Sequence, residues 1–75
     1  MNVKEVIIIL NDVKTYEYFK IEYQSKISPR EIYEYCFQHV SQVIDFLKIK
    51  ESDLKSVSIW LNRSSNDEIL FAMVN

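Results

Sequence analysis

The sequence predicts one α+β domain in the order ββαββ, a four-stranded mixed sheet with one long helix packed across one face. Three observations lead there. Residues 3–10, 14–23, 56–62 and 68–74 are short segments, β-branched or alternating in polarity, that end near turn-forming residues. Between the second and third, a longer stretch from Ser28 repeats apolar residues at helical spacing. With 75 residues, 48% of them hydrophobic, the chain can fill a single core and no second one, so residues 1–75 form one domain.

The first strand is the β-branched run of residues 3–10, closed by the turn pair Asn11-Asp12. Residues 14–23 alternate, with Phe19, Ile21 and Tyr23 on one face and Tyr18, Lys20 and Glu22 on the other. The short spacer makes these two a hairpin, with Asn11 or Val13 taking the dihedrals glycine would otherwise supply. Ser28-Pro29-Arg30-Glu31 has the spacing of a capping box with proline at the first helical position. From there Ile32, Cys36, Val40, Val43 and Leu47 form a stripe, broadened by Tyr33, Phe37 and Ile44, opposite Glu34, Gln38, Gln42 and Asp45. A helix on this pattern ends near Lys48 and spans about 30 Å, enough to cross a small sheet. Ser52-Asp53-Leu54 reads as a turn with 3-10 character. In residues 56–62, Val57, Ile59 and Leu61 point inward and Ser56, Ser58 and Trp60 outward. A polar loop over residues 63–67 leads to the last strand, 68–74.

The first and last strands are apolar on both faces, which places them at the centre of the sheet. The expected spatial order is 2-1-4-3, with the terminal strands parallel and the helix in a right-handed connection. In its order of elements this resembles the β-grasp architecture.

Composition excludes several function classes. Glycine is absent, so there is no phosphate-binding loop, dinucleotide fingerprint or nucleophile elbow. A lone cysteine and a lone histidine supply neither a disulfide nor a zinc site. The net charge of −2, with acids and bases mixed along the chain, argues against nucleic acid as a ligand. The apolar run of residues 6–10 is too short for a signal sequence or membrane span, so a cytoplasmic location, in a bacterium or an infected host cell, is expected. Asn62-Arg63-Ser64 matches a glycosylation triplet with no secretion signal to give it meaning.

No constellation of residues suggests catalysis, a cofactor, a metal or a small-molecule substrate. His39 is five residues from Glu34 and six from Asp45, spacings that do not share a helix face. Cys36, on the apolar stripe without a basic neighbour, reads as a buried, unreactive thiol. One helix covers only one side of the sheet, so Ile7, Ile9, Leu70, Val74 and Trp60 are expected on the bare side, with Tyr16 and Tyr18 alongside. Such a face suits a protein partner or a second copy of the chain. The expectation is a small, non-enzymatic, cytoplasmic protein-binding module, with a composition suited to a phage or mobile-element inhibitor or adaptor. The alternative is a single-stranded nucleic-acid binder that stacks bases on Tyr16, Tyr18 and Trp60.

Overall fold

A computed structural model describes residues 1–64 and 67–75, so residues 65 and 66 of the expected polar loop lie outside the described residues. The elements run α1 (Val3–Leu10), β1 (Tyr18–Ser25), β2 (Tyr33–Phe37), α2 (Val40–Lys50), a 3-10 turn (Glu51–Asp53), β3 (Leu54–Asn62) and β4 (Glu68–Val74). The protein is α+β, with two helices on one face of a four-stranded sheet, but the order is αββαββ and every strand pairing is antiparallel.

Residues 3–10, expected as a strand, form a helix. The Asn2 side chain accepts from the Glu5 amide at 2.8 Å, and the Glu5 carboxylate accepts from the Asn2 amide at 3.0 Å. This reciprocal cap satisfies two of the donors that a helix N-terminus leaves free. Val3, Val6 and Leu10 then fall on one face and are buried against the sheet, while Lys4, Glu5 and Ile8 face outward. The β-branched run misleads because an eight-residue helix draws its stability from packing rather than from propensity.

The expected long helix from Ser28 to Lys48 divides into a turn, a strand and a shorter helix. Ser28 to Glu31 is the turn between β1 and β2, closed by the Glu31 amide donating to the Ser28 carbonyl at 3.1 Å. β2 turns Tyr35 and Phe37 toward the core and Glu34 and Cys36 away from it. Cys36 is therefore exposed, contrary to expectation. Helix α2 starts at Val40, where the His39 amide donates to the Gln42 side chain at 3.1 Å. Its Phe46 packs edge-on to Tyr23, with ring centroids 5.5 Å apart, and meets Tyr35 at 4.9 Å and Phe37 at 5.6 Å.

The sheet order is β2-β1-β3-β4, so the expected 2-1-4-3 order with parallel central strands does not hold, nor does the β-grasp arrangement built on it. The two alternating segments, β1 and β3, are the central pair, and β4 lies at an edge. Two-sided apolarity marks a central strand only when both faces are covered. Here both helices lie on one side, so central strands need only one apolar face. The alternation itself stands: Phe19, Ile21 and Tyr23 of β1 and Val57, Ile59 and Leu61 of β3 are in the core. A bulge interrupts β4, where Ala72 pairs with Ile59 but Leu70 pairs with the next residue, Trp60.

Candidate functional site

The face turned away from the helices was the expected site, and the fold assigns it different residues. Register across the sheet puts Cys36 and Glu34 of β2, Tyr18, Lys20, Glu22 and Gln24 of β1, Ser56, Ser58 and Trp60 of β3, and Leu70 and Met73 of β4 on this open face. Of the seven expected residues, Tyr18, Trp60 and Leu70 are brought together there. The other four are not. Ile7 and Ile9 belong to α1 and pack against the core from the helix side, and Val74 is buried among core residues. Tyr16 lies against Phe19, ring centroids 4.7 Å apart, and its hydroxyl accepts from the Val40 amide at 3.1 Å. It secures the start of α2 instead of facing a partner.

The middle of the open face is a polar lattice, not the apolar patch the sequence suggested. The Trp60 indole donates to Glu22 at 2.6 Å, and the Lys20 ammonium sits 5.5 Å from the indole centroid. Lys20 also pairs with Glu68 of β4 at 3.1 Å. Hydrogen bonding to Glu68, reinforced by the charges of Glu68, Glu22 and Glu34, holds the Lys20 pKa above its ordinary value. Ser56 donates to Gln24 at 2.7 Å, and Gln24 in turn donates to the Pro29 carbonyl at 2.9 Å. The Asn62 amide donates to the Tyr18 hydroxyl at 3.2 Å, and Asn62 is buried, so the glycosylation triplet presents no accessible acceptor in the folded chain.

A second polar cluster sits at the other end of β1. Asp53 accepts from Tyr23 and from Ser25, each at 2.7 Å, and the Ser25 hydroxyl accepts from the Ile27 amide at 3.0 Å. Burial and the bond to Asp53 push the Tyr23 pKa up to about 12, and the donors Tyr23 and Ser25 hold Asp53 below its ordinary value. With every member satisfied by a neighbour, the arrangement fastens β1 to the 3-10 turn. Among the described residues, no group of three His, Cys, Asp or Glu side chains converges as metal ligands would.

Large apolar side chains are exposed at several places, Ile8, Ile27, Ile32 and Ile49 among them, and three fall on β4, of which the sequence places Leu70 on the open face. Ile69, Leu70 and Met73 are 38%, 42% and 46% exposed on a strand whose outer edge pairs with no other strand among the described residues. After Glu68 the strand carries no charge and no proline. The signal was present in the two-sided apolarity of residues 69–74, which marks an edge wanting a partner as readily as a strand flanked on both sides.

The architecture defines a small α+β protein with a half-open sheet, polar at its centre and apolar along one edge. The chain matches no protein-family model, no curated protein and no solved structure significantly. Among the described residues, no helix is long and apolar enough to cross a membrane.

Proposed function

We propose that the chain is a non-catalytic protein-binding module, an adaptor or inhibitor in scale, that takes its partner along the free edge of β4. The observation that carries this reading is β4 itself, a seven-residue edge with unpaired backbone groups, three exposed apolar side chains and no charge after Glu68. Proteins ordinarily blunt such an edge with lysine, proline, a bulge or a cover, because unpaired backbone groups template another strand; β4 has only the bulge beside Phe71. An edge left in this state fits recognition by strand addition, in which backbone hydrogen bonds supply affinity and alternate side chains supply specificity. The opposite edge, β2, is shorter and carries Glu34. A cytosolic setting suits the exposed Cys36 thiol, which a reducing compartment keeps free.

The open face does not favour nucleic acid. Lys20 is surrounded by Glu22, Glu34 and Glu68, so the ring that could stack on a base sits in an acidic field. The Trp60 indole is also engaged by its neighbours on both its N–H and its ring.

The test compares immobilised wild-type protein with a Leu70→Lys/Met73→Lys variant and an Ile49→Lys control on the exposed outer side of α2. A cognate protein should be held by wild type and control and lose tenfold or more in affinity for the β4 variant. Equal binding by all three places the interface elsewhere and removes the basis of the reading.

A further inference from the structure

We infer that the turn between β1 and β2 is a docking tip for an anionic lipid surface, a property separate from the β4 edge. Ile27 and Ile32 immediately flank Ser28–Glu31, whose ends are joined by the Glu31 amide donating to the Ser28 carbonyl. Both isoleucines therefore stand at one tip. Ile27 is the most exposed large apolar side chain among the described residues, at 85%, and Ile32 is 61% exposed. Pro29 lies between them, and the partly exposed Tyr33 follows at the start of β2. Aliphatic side chains leading and a tyrosine just behind them suit the boundary of a bilayer, where aromatic residues sit at headgroup level.

Charge complements the apolar tip. Lys26 and Arg30 belong to the turn, the Lys55 ammonium donates to the Pro29 carbonyl at 3.3 Å, and Lys50 lines the same hollow as Ile27 and Tyr33. Against these four cations stand Glu31 and Asp53, both engaged. Glu31 accepts from the Tyr33 hydroxyl, and Asp53 from Tyr23 and Ser25. The tip is thus net +2 in a chain of −2, so the remainder carries −4. Glu34 stands two residues beyond Ile32, about 7 Å back along β2, with Glu22 as its register partner. An anionic surface attracts the tip and repels the sheet behind it, which sets both the orientation and the depth of docking.

Backbone bonding favours a lipid surface over a protein partner. Polar backbone groups entering a bilayer boundary must find partners within the chain, whereas at a protein interface they can take them from water or from the partner. At this tip the partners are internal. The Lys26 amide donates to the Asp53 carbonyl at 2.7 Å, and the Ile27 amide to the Ser25 hydroxyl at 3.0 Å. The Pro29 carbonyl accepts from Gln24 at 2.9 Å as well as from Lys55, and proline has no amide to satisfy. Unlike the edge of β4, this turn offers a partner chain little to bond and a lipid surface little to desolvate.

Co-sedimentation with vesicles of phosphatidylcholine containing about 30 mol% phosphatidylserine tests this, with pure phosphatidylcholine for comparison. Wild type should bind the anionic vesicles at least tenfold more tightly than the neutral ones, and the binding should weaken as salt rises. Ile27→Gln/Ile32→Gln and Lys26→Gln/Arg30→Gln should each weaken it at least tenfold. Ile8→Gln/Leu70→Gln, which removes two exposed apolar side chains elsewhere, should leave it unchanged. On the anionic vesicles Ile27→Trp should show a blue shift in fluorescence that wild type, with Trp60 on the open face, does not. Failure of wild type to bind the anionic vesicles would overturn the proposal, and so would binding that both tip variants retain. Retention of wild type on immobilised polyglutamate but not on vesicles, lost in both tip variants, would overturn it in favour of an acidic protein. Because β4 is intact in both tip variants, the capture experiment on that edge is judged separately.

Discussion

Asp53 shows how a single side chain can tie sequence-distant segments together and leave a pH signature. From the 3-10 turn, its carboxylate holds both Tyr23 and Ser25 of β1. The Tyr23 hydroxyl, with a folded pKa of about 12 against an ordinary value of 10.0, favours folding fully below pH 10. That contribution is lost as pH rises through about 12, because the unfolded chain releases its proton first. Asp53 works in the other direction. Its folded pKa is depressed, so its contribution is present above the ordinary value of 3.8 and is lost as pH falls through the depressed one. Tyr23→Phe removes the alkaline component entirely and weakens the acid one, leaving Ser25 as the remaining donor. At neutral pH it should lower stability, because Asp53 keeps only the Ser25 hydroxyl as a side-chain donor. Urea midpoints measured from acid to alkaline pH would check this. A variant whose curve runs parallel to wild type at both ends would mean that the Tyr23–Asp53 bond does not form in solution.

At the scale of elements, one local pattern is compatible with two structures. Ser28-Pro29-Arg30-Glu31 has the residues of a helix start, and a turn uses nearly the same dihedrals as the first turn of a helix. The residues after Glu31 decide between them. Tyr33, Tyr35 and Phe37 repeat at a period of two and deliver Tyr35 and Phe37 to Phe46, which a helix through these residues would not do. The aromatic alternation is visible in the sequence but is outweighed there by the stripe through Cys36 and Val40. Conversely, Asn2 and Glu5 spell a cap that the β-branched run obscures. β1 and β3 are legible because one-sided burial imprints strict alternation, and Trp60 and Tyr18 are placed correctly for that reason, while β4 is legible as an apolar run bounded by a polar loop. Ile7 and Ile9 are misplaced because their segment is a helix, Val74 because the bulge shifts the alternation of β4, and Tyr16 because it precedes β1 and its register. The caps give a direct test. Asn2→Ala should lower stability by about 1 kcal/mol with some loss of helical circular dichroism. Ser28→Ala should leave the helical signal unchanged, since it begins no helix. The opposite pattern in the two variants would restore the helix at Ser28 and remove the one at Asn2.

Across the whole molecule, the exposed surface is 4892 Å², close to the roughly 4,850 Å² expected of a folded monomer of 9.0 kDa. That area is the one a compact chain of this size has, so the core is closed within a single chain. The core that achieves this is one cluster, running from Val3, Val6 and Leu10 of α1 through Phe19 and Ile21, Val43 and Leu47, and Val57 and Ile59, to Ala72 and Val74 of β4. No element has a separate core to fall back on, so helices and sheet should unfold together. Trp60 reports on the sheet from its open side, and far-ultraviolet circular dichroism reports chiefly on the helices. Leu10 is fully buried at the end of α1, on the face opposite Trp60. Leu10→Ala should cost about 2–5 kcal/mol through lost burial and the cavity left behind. Both signals should move to the same lower urea midpoint, with an unchanged slope. If the helical signal moved alone while Trp60 fluorescence kept its midpoint, α1 would be an independently unfolding segment laid on a self-sufficient sheet. The sheet does not have that self-sufficiency, because Phe19, Ile21, Val57 and Ile59 would lose the cover that α1 and α2 provide, and a four-stranded sheet with one wet apolar face has nothing else to bury it on.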